Sequence, residues 1–203
     1  MPSDTEPEID WDSLTFSFTQ TDRMYLAKCK IGGEWEKGVM KDYEDLVISP
    51  AAGVLNYGQG LFEGLKAQRA SDGSIVLFRP QQNAKRAQEG ARRLGMPPVP
   101  EEMFLDAIIS AVRENSRWVP PMGKGALYIR PLLMGSGPIL GVAPAPEYTF
   151  LVFTSPVGPY FKGGITPTSL RVSDKFHRAA PGGSGGVKAI GNYAPGMIPS
   201  KMA

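Results

Sequence analysis

Lys188 stands five residues ahead of Tyr193 in "GGSGGVKAIGNY", residues 182–193, behind four glycines set around Ser184. A lysine beside a glycine-rich loop can contact phosphate, or can act as an amine nucleophile that condenses with a carbonyl. A nucleotide phosphate loop needs G-x-x-x-x-G-K followed by Ser or Thr. Here Val187 precedes the lysine and Ala189 follows it, so neither the Gly-Lys pair nor the hydroxyl is in place. "GQGLFEG" at 58–64 has the wrong third spacing for a dinucleotide fingerprint, and no strand–helix–strand unit surrounds it. His177 is the single histidine, next to Arg178 in a Gly/Pro-rich stretch, and reads as a loop residue rather than a hydrolytic base. The chemistry left to Lys188 is that of a Schiff-base amine, set against the default of a solvated surface lysine.

Other charged residues occupy unusual places. Arg130 lies between Ile129 and Pro131 in an apolar, strand-like run, where a charge requires a partner. Arg86 flanks a stripe of small residues, Ala84, Ala87, Ala91 and Leu94, repeated at helical spacing. That helix is predicted from Pro80, a favoured first helical residue, to about Leu94, with Gly95 as its stop. A second helix is predicted from about Glu101 to Trp118, with Phe104, Ile108, Ala111 and Val112 inward and Pro120 ending it. Alternation and β-formers predict strands near 24–31, 45–49, 64–70, 74–79, 126–134, 148–155 and 168–173. Strands, two helices and strands again imply an α+β fold with a mainly antiparallel sheet.

The 203 residues allow one large domain or two small ones, and carry a net charge of +2 with basic residues spread along the chain. No polybasic surface for nucleic acid is predicted, and no apolar run approaches the roughly 18 residues of a membrane span. One cysteine, Cys29, excludes an internal disulfide framework and a cysteine-based zinc cluster, and no metal site is expected. It reads as a buried structural thiol. The opening "MPSDTEPEIDWDSLT" carries five acids and no base before Arg23, unlike a transit or signal peptide, so a cytoplasmic protein is expected in preference to a plastid or mitochondrial one.

"GVKAIGNY" (186–193) resembles the lysine motif of the branched-chain amino acid aminotransferases, pyridoxal-phosphate enzymes of fold type IV. "LNYGQGLFEGLKA" (55–67), "LFRPQQNAKRAQEGARRL" (77–94), "ALYIRPLLMGSGPILGVAPAPEYTF" (126–150) and "SPVGPYF" (155–161) follow in that family's order and spacing. The likeness is closest to plant members and covers nearly every residue from Leu14 onward. It implies that Lys188 carries pyridoxal 5'-phosphate as a Schiff base and shuttles a proton to and from the substrate Cα. It also implies that Arg86 binds the cofactor phosphate and that Tyr193 hydrogen-bonds the cofactor's phenolic oxygen. Tyr57, Phe62, Tyr128, Arg130 and Tyr160 match substrate-pocket positions, with Arg130 suited to the second carboxylate of a dicarboxylic 2-oxo acid. Leu140 and Val142 match residues that enter the neighbouring subunit's pocket, which implies a homodimer; exposed apolar loop residues favour a partner surface in any case.

The resemblance divides the chain into an acidic segment (1–13), a small aminotransferase domain (14–175), and a linker with the start of a large cofactor domain (176–203). The acid that pairs with the pyridine nitrogen falls in the rest of that larger domain, so no residue here is assigned to it. The implied activity is amino transfer from leucine, isoleucine or valine to 2-oxoglutarate, with small-molecule amino and 2-oxo acids as partners. The alternative is an inactive fragment that at most dimerises or binds a partner. The glycine-rich approach predicts a mobile tail around Lys188, and Pro195, Gly196 and Pro199 disfavour a regular helix after it.

Overall fold

The computed structural model describes residues 7–159, 167 and 169–202. In chain order the strands are β1 (Arg23–Lys30), β2 (Val39–Asp42), β3 (Gly60–Phe62), β4 (Leu65–Arg69), β5 (Ile75–Leu77), β6 (Ala126–Gly135) and β7 (Glu147–Val157). The helices are α1 (Gly53–Tyr57), α2 (Pro80–Arg93), α3 (Glu101–Glu114) and α4 (Met197–Met202). One antiparallel sheet runs β2-β1-β7-β6-β4-β5, with β3 also on β6.

β6 and β7 form its spine, in register from Ala126↔Val157 to Gly135↔Tyr148. Because successive side chains alternate across a strand, Leu127, Ile129, Leu133, Tyr148, Phe150 and Val152 face one side and are buried there. α2 and α3 cover that side with Ala84, Ala87 and Ala91 and with Phe104, Ile108 and Ala111. The alanines let α2 lie close to the sheet, while Phe104 stacks on Phe150 at 5.6 Å. Burial of a side chain such as Ile108 contributes roughly 1.5–3 kcal/mol. Tyr128, Arg130, Phe153 and Ser155 alternate onto the other face.

A local break in the sheet matters for the site. β3 and β4 both pair with β6, but the ladder lapses between Phe62↔Leu132 and Leu65↔Ile129. Glu63 donates its N–H to the Pro131 carbonyl at 2.8 Å. Proline has no N–H to return, so regular pairing stops there and the chain turns past Glu63 and Gly64.

The α+β architecture stands, as do both long helices and the strands expected near 24–31, 64–70, 74–79, 126–134 and 148–155. Two expected strands are absent. At 45–49 the chain has left the sheet after Tyr43, leaving Leu46 and Val47 exposed, and β1 is flanked instead by the short β2. At 168–173 the described residues are unpaired, with Leu170 and Val172 in solvent. α3 also ends earlier than predicted. The buried Asn115 side chain accepts the N–H groups of Asp22 and Arg23 and donates to the Ala111 and Arg23 carbonyls. Such side-chain competition for the backbone ends the helix, and a short 3-10 turn, Ser116–Trp118, follows. Beyond Lys188, Pro199 does not prevent α4, because it falls in the first turn, where its missing N–H has no helical partner to lose. Cys29 is a free, buried core thiol, as expected.

Candidate active site

Lys188 is docked on the sheet, contrary to the mobile tail its glycines suggest. The Lys188 carbonyl accepts the Phe62 N–H at 3.2 Å, and Ala189 forms an antiparallel bridge with Leu61. The two residues thus extend β3 on the edge away from β6, and Ala189 is buried there. Asn192 braces the preceding loop: its Oδ1 accepts the Ser184 hydroxyl at 2.7 Å, and its Nδ2 donates to the carbonyls of Ser184 and Val187 at 2.7 and 2.9 Å. A 3-10 turn, Ile190–Asn192, then returns Tyr193 toward the lysine.

The result is a cluster of cations and rings. Lys188 Nζ donates to the Tyr193 hydroxyl at 3.0 Å and lies 4.4 Å from the centre of the Phe62 ring. Phe62 and Tyr193 are 4.8 Å apart. The Arg130 guanidinium lies 4.5 Å from the same Phe62 ring and 5.1 Å from Tyr128, whose hydroxyl accepts from Nη2 at 2.9 Å. Cation–ring contacts of this kind contribute about 0.5–2 kcal/mol each. Arg130 Nε is buried with no hydrogen-bond partner among the described residues, and no ion pair there reaches Arg130 or Lys188. A buried unpaired donor on a cation is costly, so this corner of the sheet is suited to an anion. Arg130 also borders an open cleft of about 380 Å³ lined by Phe16, Phe18, Tyr43 and Phe153.

Arg86 occupies the other flank. Its Nε and Nη2 donate to the two oxygens of Glu63 at 2.7 and 2.6 Å, and Asn83 Nδ2 donates to Glu63 at 2.9 Å. Glu63 is fully buried, whereas the Arg86 side chain is 52% exposed. The Glu63 carboxylate holds the Arg86 guanidinium above its ordinary range, with burial opposing and the nearby Tyr193 phenol adding to the rise. Tyr193, hydrogen-bonded to Lys188, is thus also within electrostatic reach of Arg86.

Tyr57 is placed elsewhere. Its hydroxyl donates to the Leu140 carbonyl, so it belongs with the loop that presents Leu140 and Val142, each 89% exposed. Tyr160 lies outside the described residues. The structure adds contributors that the sequence reading omitted. Phe16 meets Tyr128 edge-on at 5.3 Å, and no sequence signal marks it. Glu63 carried one: an acid inside the apolar run "GLFEGL".

No protein-family profile matches the chain. It is 59% identical over 187 residues to branched-chain-amino-acid aminotransferase 5, chloroplastic, of Arabidopsis thaliana, covering 92% of this chain and 45% of that protein. The chain thus spans about half the length of the curated relatives it matches. In structure it resembles the branched-chain aminotransferase of Thermoproteus uzoniensis solved with norvaline: TM-score 0.71, 23% identity, 90% of this chain and 56% of that one. It also resembles the T.th. branched-chain amino acid aminotransferase solved with pyridoxamine 5'-phosphate: TM-score 0.64, 20% identity, 91% of this chain and 56% of that one. At such identities the two structures establish the fold. The cytoplasmic expectation is corrected in part: the Arabidopsis relative is chloroplastic by name, and a Humulus lupulus relative is mitochondrial.

Proposed function

We infer that this chain, a relative of the plant branched-chain amino acid aminotransferases along 92% of its length, carries the lysine side of a pyridoxal-phosphate site for amino transfer from leucine, isoleucine or valine to 2-oxoglutarate. The observation that carries the reading is Lys188 Nζ held 3.0 Å from the Tyr193 hydroxyl by a backbone bond to β3, with Arg130 on the Phe62 ring that Nζ also faces and Arg86 on the next residue, Glu63. These residues fit the cofactor. Glu63 leaves the remaining Arg86 N–H donors for a phosphate ester, and the Lys188–Tyr193 pair offers an amine and a phenol to an aldehyde and its neighbouring oxygen.

When bound, pyridoxal phosphate supplies a carbonyl for amines and a ring that draws electrons from the substrate Cα. The chain's own residues do the rest. Lys188 Nζ takes and returns the Cα proton, and the Tyr193 hydroxyl orients that nitrogen. Phe62 packs against Nζ and limits water on that side. Arg130 pairs with the distal carboxylate of 2-oxoglutarate, while Phe16, Phe62 and Tyr128 offer apolar walls to an aliphatic side chain. Leu140 and Val142, exposed beside Tyr57, support a homodimer in which this loop meets the partner's pocket. In this proposal residues 14–175 belong to the small domain, and the acid for the pyridine nitrogen comes from the larger domain.

The test joins residues 1–193 to the portion of the Arabidopsis relative that this chain does not match, and measures glutamate formed from leucine and 2-oxoglutarate. The chimera is expected to turn over and Lys188→Ala to abolish turnover. A folded chimera whose activity survives Lys188→Ala would overturn the proposal.

A further inference from the structure

Among the described residues Glu63 is the only acid with a buried side chain, at 0% exposure. A buried carboxylate is costly unless it is paired and hydrogen-bonded. Glu63 meets both conditions with one partner: two parallel bonds from Arg86 Nε and Nη2, with Asn83 fixing the carboxylate from the side. Its backbone is fixed as well, by the N–H donated to Pro131 at the break between β3 and β4. A guanidinium has five N–H donors in a rigid plane. Glu63 takes two, so it fixes both the plane of Arg86 and the edge that stays open.

We propose that Glu63 is the positioning residue for Arg86: it locks the guanidinium so that the Nη1 side faces a phosphate monoester beside Tyr193, before any ligand arrives. The inference rests on the reading of Arg86 as the phosphate ligand. It assigns to an acid that never touches the ligand the task of preorganising the cation that does. Without Glu63, a half-exposed arginine on α2 would sample many rotamers and would lose that freedom on binding.

The experiment compares binding of pyridoxal phosphate and of pyridoxal, which lacks the phosphate, to this chain and to Glu63→Gln, Glu63→Ala, Arg86→Ala and Glu63→Ala/Arg86→Ala, with thermal unfolding recorded for each. Pyridoxal phosphate is expected to bind more tightly than pyridoxal, with Arg86→Ala removing the difference. Glu63→Ala is expected to weaken pyridoxal phosphate by about tenfold, the lower end for loss of a group that orients a ligand's contact. It should leave pyridoxal unchanged and be no worse in combination with Arg86→Ala. Glu63→Gln conserves volume and should give a smaller loss in the same pattern. Equal weakening of both ligands, or additive losses in the double variant, would overturn the positioning role. No preference for pyridoxal phosphate in the unaltered chain would instead overturn the reading of Arg86, and the positioning role with it.

Discussion

The N–H of Phe62 donates to the carbonyl of Lys188 at 3.2 Å, and the ring of the same Phe62 lies 4.4 Å from Lys188 Nζ. One residue thus holds the lysine by its backbone and faces its amine. The docking depends on the loop before it, which Asn192 ties at three points. Asn192→Ala should cost about 1–3 kcal/mol of local stability and let the edge open. Hydrogen exchange should speed up at the Val187, Asn192 and Phe62 amides and leave α2 unchanged. Unaltered exchange at Phe62 would show that the loop stays docked without Asn192.

Gly64 supports the Tyr128–Arg130 pair by having no side chain. A Cβ there would collide with the Tyr128 hydroxyl, the group that accepts from Arg130. Gly64→Ala should therefore displace Tyr128 and cost about 1–3 kcal/mol, read as a lower urea midpoint. If the proposed role of Arg130 holds, it should also weaken binding of 2-oxoglutarate. Unchanged stability and binding would mean that Tyr128 has room to move.

Acid stability should depend on Asp22. Arg117 donates to both its oxygens at 2.7 Å and Trp118 Nε1 donates at 2.9 Å. The Arg117 hydrogen bonds hold the Asp22 carboxyl below its ordinary range, with burial opposing and the Trp118 bond helping. The unfolded chain takes up this proton first, so the contribution is full above the ordinary carboxyl range and is lost as pH falls through the lowered folded value. Asp22→Asn should be less stable at neutral pH by about 1–3 kcal/mol, and the gap to the unaltered chain should narrow as pH falls below the ordinary carboxyl range. A gap independent of pH would assign the effect to packing.

The parts legible in the sequence are those written by local periodicity. The alanine stripe of α2 and the Phe104, Ile108, Ala111 and Val112 face of α3 repeat at helical spacing and are buried as read. β2 and β3, of four and three residues, are too short for alternation to mark, and the partner of β3 is distant in sequence. Leu170 and Val172 alternate like a strand yet pair with nothing among the described residues, because a pattern does not supply an edge. Lys188 was legible by type and motif. Its docking was not, because the Leu61–Ala189 bridge joins segments far apart in the chain, and nothing local to either announces the other.

The central claim is that Lys188 is the amine that meets the cofactor aldehyde, and covalent mapping tests it most directly. The chain is mixed with substoichiometric pyridoxal phosphate, reduced with borohydride and digested, and the pyridoxyl group is located by peptide mass. Label concentrated on Lys188, and reduced when Arg86→Ala removes the phosphate contact, is the predicted result. Label concentrated instead on Lys85, Lys175 or Lys201, with Lys188 unmodified, would contradict it.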